Sequence, residues 1–135
     1  GRGTTSRLDT YESLPPTVFL TKSIAHSWLY PRCSAVVHHG GAGTTAAALR
    51  AGVPAIVVPF HGDQPFWASR VQASGTGPAP IPKKQLSVKT LAAALAQATT
   101  DEAMKARCAA LGARVRAEAG VARAVERIAA VSRVS

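Results

Sequence analysis

His38-His39-Gly40-Gly41-Ala42-Gly43-Thr44-Thr45 is the stretch that decides the fold of this chain. Ahead of it lies a short apolar run, Ser34-Ala35-Val36-Val37, and behind it an alanine-rich run from Thr45 to Ala51. That order predicts a strand, a glycine turn and a helix. Such a turn leaves backbone N–H groups unpaired at a helix N-terminus. The positive end of the helix dipole lies there too, so phosphate binds such places readily. A second apolar run, Ala55 to Phe60, leads to Asp63-Gln64. The first element reads as a diphosphate seat and the second as hydrogen-bonding groups for a sugar.

Working outward, residues 1 to 16 read as loop and Val18-Phe19-Leu20 as a short strand. Residues 24–31 read as a turn and a short helical segment, stopped at Pro31. Strand 35–39, helix 44–51, strand 55–59 and helix 64–73 follow. Gly75-Thr76-Gly77-Pro78 breaks the chain, and Ile81 centres a very short edge strand. Ser87 caps a helix with Val88, Leu91 and Leu95 on its apolar stripe. Asp101 caps another with Met104, Cys108, Leu111 and Val115. Gly120 is expected to separate it from a last helix carrying Val121, Val125 and Ile128. Strands alternating with helices imply parallel pairing and an α/β fold.

The chain has 135 residues, enough for one domain, and 47% hydrophobic content suits a packed core. No apolar run approaches the roughly 20 residues that span a bilayer. The start, Gly1-Arg2-Gly3-Thr4-Thr5, lacks both the apolar stretch of a signal peptide and a methionine. Cys33 and Cys108 have neither CxxC spacing nor histidines at zinc-type spacing, so free structural thiols in a reducing compartment and no metal site are expected. The net charge of +9 comes largely from scattered arginines: Arg107, Arg114, Arg116, Arg123, Arg127 and Arg133. Solvated helix faces account for that distribution. No basic run is interleaved with aromatics, which argues against nucleic-acid binding. Attraction to an anionic donor or an anionic membrane surface stays open.

Two motifs compete for the glycine turn. Gly41-Ala42-Gly43-Thr44-Thr45-Ala46 matches G-x-G-x-x-A, and Asp63 stands about twenty residues on, where a dinucleotide-binding fold places its ribose acid. Three details oppose an NAD-type site. Asp63 lies past Pro59-Phe60-His61-Gly62 instead of at the strand tip, Gly52-Val53-Pro54 closes the helix early, and histidines precede the glycines. No lysine follows them, so the turn is not a Walker loop. Consecutive strand residues face opposite sides, so His38 and His39 are not expected to share a metal. His39, next to the glycines, is the candidate for the cleft.

Taken together, three stretches carry a resemblance: Trp28-Leu29-Tyr30-Pro31 with Ala35 to Thr45, then Arg50-Ala51-Gly52-Val53-Pro54, then Pro59-Phe60-His61-Gly62-Asp63-Gln64-Pro65-Phe66-Trp67. In this order and spacing the chain resembles the UDP-glycosyltransferase family, especially sterol glucosyltransferases and related natural-product glycosyltransferases. The likeness runs from about Gly1 to Ala98. It implies a Rossmann-like parallel sheet, the C-terminal half of a GT-B glycosyltransferase truncated at its N-terminus, with residues 1–135 a partial nucleotide-sugar-binding domain. By position, His39, Gly41, Gly43 and Thr44 would bind the donor diphosphate, and Asp63 and Gln64 the sugar. The base-binding segment should fall near Thr21 to His26. The glutamate with which many members grip the ribose is replaced by Ala47.

The resemblance further implies inverting transfer of a hexose, from UDP-glucose as co-substrate and with no cofactor, to a lipophilic acceptor such as a sterol. The catalytic base and acceptor site would lie in a missing N-terminal domain, so no catalytic residue is expected in this chain. A cytoplasmic protein, peripheral at membranes, is the matching location. The family's first two strands lie between those at 18–20 and 35–39, so an open sheet edge, marginal stability and self-association are expected of the fragment. An inactive binding relic is the remaining alternative.

Overall fold

A computed structural model describes residues 14–134. Most of the expected N-terminal loop, residues 1–13, lies outside them. Helix α1 spans His26–Leu29 and runs into a 3-10 turn, Tyr30–Arg32. Strand β1 is Val36–His38, helix α2 Ala42–Ala51, strand β2 Ala55–Val57 and helix α3 Gln64–Ala73. A second 3-10 turn, Lys83–Gln85, precedes helix α4, Val88–Thr100, and helix α5, Glu102–Val134. The strands pair in parallel, with Val36 opposite Ala55, Val37 opposite Ile56 and His38 opposite Val57. The α/β class with a parallel sheet is therefore as expected.

Strand alternation sorts the core into two layers. Val36, Ala55 and Val57 face one way and pack with Tyr30, Ala48, Ala68 and Val71 of the helices α1 to α3 region. Ile56 and Val58 face the other way and pack with Ile81 and with Ala94 and Ala98 of α4. The small alanines let α4 approach the sheet closely. Val37 shares the second face, yet it is exposed because α4 packs over β2.

Local chemistry sets the helix ends. Gly52 stops α2 in the left-handed conformation at φ 74°, and its N–H donates to the carbonyls of Ala48 and Leu49. Ser87 and Thr90 form a reciprocal capping box at α4. The Asp101 carboxylate accepts from the Met104 N–H at 3.0 Å, which starts α5. Met104 and Cys108 are buried, as a packing stripe requires.

Three expectations fail, at Val18-Phe19-Leu20, at Ile81 and at Gly120, while the open sheet edge is as expected. Val18-Phe19-Leu20 forms no strand: all three side chains are exposed and, among the described residues, no neighbouring strand offers a ladder. Among the described residues, the edge of β1 away from β2 has no strand partner. Ile81 is buried and its N–H donates to the Val57 carbonyl at 2.9 Å, but the next bond of a parallel ladder would need an N–H from Pro59, which has none, so a single bond flanked by Pro80 and Pro82 stands in for a strand. Those prolines also deny the outer edge to another chain. Finally, Gly120 breaks nothing. Helix α5 runs through it for 33 residues, since one helical glycine costs only about 1 kcal/mol among good helix formers. The side chains of Val121 and Ile128 lie outside those described. Among the described residues no helix is long and apolar enough to cross a membrane.

A methyl group at Gly77 would fall 2.0 Å from the Ala55 carbonyl oxygen, whereas one at Gly120 would meet nothing within 4 Å. Chemical denaturation should therefore show Gly77→Ala losing about 2–3 kcal/mol. Gly120→Ala should gain up to about 1 kcal/mol.

Candidate functional site

The turn after β1 is built around Gly40, at φ 94°. A Cβ there would lie 2.8 Å from Val57 Cγ1 and 3.0 Å from the Gln64 carbonyl oxygen. Both conformation and space thus demand glycine, and the close approach seats the turn against the start of α3.

Each histidine closes one amide of the turn. The Gly40 N–H donates to His38 Nδ1 at 3.0 Å, and the Gly41 N–H to His39 Nδ1 at 2.9 Å. Both rings accept at Nδ1, which leaves Nε2 to carry the ring proton. As strand alternation requires, His38 is buried and His39 exposed. Burial, helped by nearby His39 and His26, pulls the His38 pKa down to about 4. His38 Nε2 and the Thr45 hydroxyl are buried without a partner among the described residues.

Helix α2 opens with glycine as its N-cap, so no side chain closes its first turn, and no acid sits there. The Thr45 N–H makes the first helical bond, to the Gly41 carbonyl at 2.9 Å. The amides of Ala42, Gly43 and Thr44 precede it and stay open. Gly41, expected among the phosphate donors, has its N–H taken by the His39 ring in this structure, so the open amides are those of Ala42, Gly43 and Thr44. Gly43 faces open space, with nothing within 4 Å of a built Cβ.

Asp63 and Gln64 begin α3. The indole N–H of Trp67 donates to Asp63 Oδ2 at 3.0 Å. Gln64 Oε1 accepts from the N–H groups of Phe60 and His61, at 2.8 and 3.2 Å. One carboxylate oxygen of Asp63 and the amide nitrogen of Gln64 remain without partners among the described residues. Trp67 follows Asp63 by four residues on a helix, which puts the two side chains within reach. Phe66 is exposed, with its ring edge-to-face against Trp67 at 4.9 Å. Trp28 is also exposed, and the Arg32 guanidinium lies 4.3 Å over its ring.

Two cavities flank α1. One, of about 390 Å³, is lined by Thr21, Lys22, Ser23, His26 and Tyr30, the segment expected near the nucleotide base. The His26 and Tyr30 rings stack at 4.5 Å. The other, of about 400 Å³, has Ala47, Arg50 and Arg116 in its wall. Arg116 donates to the Arg50 carbonyl and Arg107 to that of Gly75, so these two arginines tie α5 down as well as facing solvent.

Residues 4–131 match the family described as erythromycin biosynthesis protein CIII-like, C-terminal domain. The chain belongs to that family. It is a C-terminal domain of the GT-B glycosyltransferase type. It is 48% identical over 114 residues to a sterol 3-beta-glucosyltransferase of Cryptococcus neoformans, covering 84% of this chain and 7% of the relative. It is 49% identical over 109 residues to O-mycaminosyltylonolide 6-deoxyallosyltransferase of Streptomyces fradiae, covering 81% of this chain and 26% of the relative. Among solved structures, the glycosyltransferase of kitacinnamycin superposes with a TM-score of 0.75 at 30% identity, covering 87% of this chain and 30% of that one. The glycosyltransferase VinC in complex with dTDP superposes with a TM-score of 0.74 at 25% identity, covering 90% of this chain and 32% of that one. The chain thus spans under a third of each of these proteins.

The buried histidine of this glycosyltransferase domain carries a pH signature. His38 titrates near 6.5 when unfolded and about 4 when folded. Between those values the unfolded state binds the extra proton, so stability should fall as pH drops from about 6.5 to 4, by on the order of 2–3 kcal/mol. Denaturant melts at pH 7.5 and 4.5 should show that slope. His38→Asn, which keeps an acceptor for the Gly40 N–H but does not titrate, should flatten it.

Proposed function

We propose that this chain is the nucleotide-sugar-binding part of a hexosyltransferase, with UDP-glucose as donor and a lipophilic alcohol, such as a sterol, as acceptor. The observation that carries the proposal is the junction of the open α2 amides with the Asp63–Gln64 pair, brought together where Gly40 abuts Gln64. The diphosphate would rest on the N–H groups of Ala42, Gly43 and Thr44, with the Thr44 hydroxyl and His39 Nε2–H as further donors. Asp63 and Gln64 would hold the hexose. The relatives named sterol 3-beta-glucosyltransferase support the sugar and acceptor class, and the dTDP bound by VinC keeps a thymidine donor as the competing nucleotide.

Inverting transfer breaks the bond between the anomeric carbon and the diphosphate while an acceptor hydroxyl attacks from the opposite face. Negative charge grows on the departing diphosphate. Amides already aimed at that position stabilise it without reorganising, and His39 donates one further hydrogen bond. These donors need no cofactor to carry the charge. On the family resemblance, the general base that takes the acceptor proton would come from outside this chain. His38 is buried and His39 already accepts at Nδ1, so neither is free to serve. A cytoplasmic protein that meets its lipophilic acceptor at a membrane surface fits this chemistry, and so does self-association through the open edge of β1.

Isothermal titration of the chain with UDP-glucose, UDP, dTDP and NAD tests the proposal. UDP and UDP-glucose should bind. Thr44→Val should weaken both, and Asp63→Ala should weaken UDP-glucose alone. Binding of NAD with no response to UDP or dTDP would install a dinucleotide site instead, and no binding at all would mark a relic. In the whole protein, His39→Ala should lower kcat about 10²–10³-fold, the usual cost of losing one preorganised donor. Unchanged kcat would reject its role.

A further inference from the structure

Asp63 is the N-cap of α3, and an aspartate there ordinarily turns its carboxylate onto the amides of the second or third helical residue. Here neither bond forms. The second helical residue is Pro65, which has no N–H. The third, Phe66, donates its N–H to the Asp63 backbone carbonyl at 3.1 Å. The carboxylate is therefore left outside the helix end, and the indole N–H of Trp67 fixes it there through Oδ2. Gln64 is fixed in the complementary sense, because the amides of Phe60 and His61 occupy its oxygen. What faces outward is one carboxylate oxygen, which only accepts, and one amide nitrogen, which only donates.

We propose that Trp67 is a positioning residue of the donor site, holding Asp63 so that Asp63 and Gln64 present a preset acceptor and donor to two neighbouring hydroxyls of the hexose. The proposal rests on Asp63 binding the sugar. It also names the substrate feature selected: a pyranose with adjacent hydroxyls, one giving its proton to Asp63 and the other receiving one from Gln64. Without the indole bond the carboxylate gains rotamers, and part of the binding energy is spent on ordering it.

The test is calorimetric titration of the chain with UDP-glucose and with UDP, comparing the ratio of the two dissociation constants. Trp67→Phe keeps an aromatic ring, though a smaller one, and removes the N–H. It should shift the ratio against UDP-glucose by about three- to tenfold, the worth of one hydrogen bond, with UDP itself unchanged. In an Asp63→Ala background it should shift the ratio no further. Pro65→Ala, which restores an amide able to capture the carboxylate, should move the ratio the same way with the indole intact. An unchanged ratio in Trp67→Phe overturns the proposal. That holds also when both ligands weaken in parallel, and a wild-type ratio in Pro65→Ala overturns it as well. Should Asp63→Ala alone leave the ratio untouched, or neither ligand bind the unmodified chain, the sugar role of Asp63 fails first and the role of Trp67 falls with it.

Discussion

At Gly40 the backbone passes so close to β2 and to the start of α3 that no side chain fits. A Cβ would meet Val57 Cγ1 at 2.8 Å and the Gln64 carbonyl at 3.0 Å. The rest of the site depends on that approach. It holds the first turn of α2 next to the first turn of α3, so two helix N-termini open side by side. One presents unpaired amides. The other presents a carboxylate and a carboxamide. Positive dipole ends and polar side chains thereby gather at the C-terminal ends of the two strands, where open α/β sheets place their ligands.

The two histidines show how one short motif performs two tasks. Both take a glycine amide at Nδ1, which leaves Nε2 to carry the ring proton. Strand geometry then separates them. His38 turns into the core, and burial makes its protonation costly. His39 turns out beside the open amides. Consecutive position in a strand makes one a structural element of the turn and leaves the other for a ligand.

Outside the site, the packing is sparse on one side. The sheet has two strands, β1 keeps an unpaired edge among the described residues, and Val37, Phe19 and Leu20 stay exposed. On the other side the chain is closed tightly. Gly52 and Gly112 let α5 lie against the end of α2, where a Cβ at Gly112 would sit 2.7 Å from the Gly52 Cα. The proline pair around Ile81 shields the far edge. The contrast is consistent with a domain of the GT-B type, of which this chain spans only a part of the relatives' length.

Local signals alone determined the alternation of strands and helices, the caps at Ser87 and Asp101, the bounds of α3 and the family to which the glycine turn belongs. Each rests on residues close in sequence: periodic apolar positions, side chains that reach their own helix end, glycines that permit one conformation. Tertiary structure decided what depended on neighbours. A β-branched and aromatic run such as Val18-Phe19-Leu20 is a strand only if another strand pairs with it, and none does among the described residues. Whether Gly120 breaks a helix depends on the residues around it and on packing, not on glycine alone. The closing of the Gly41 amide by His39, and the grip of Trp67 on Asp63, depend on rotamers and on which competing amides are already bonded. Composition and spacing hold no record of those choices, because a hydrogen bond is settled by where the atoms lie once the chain has packed.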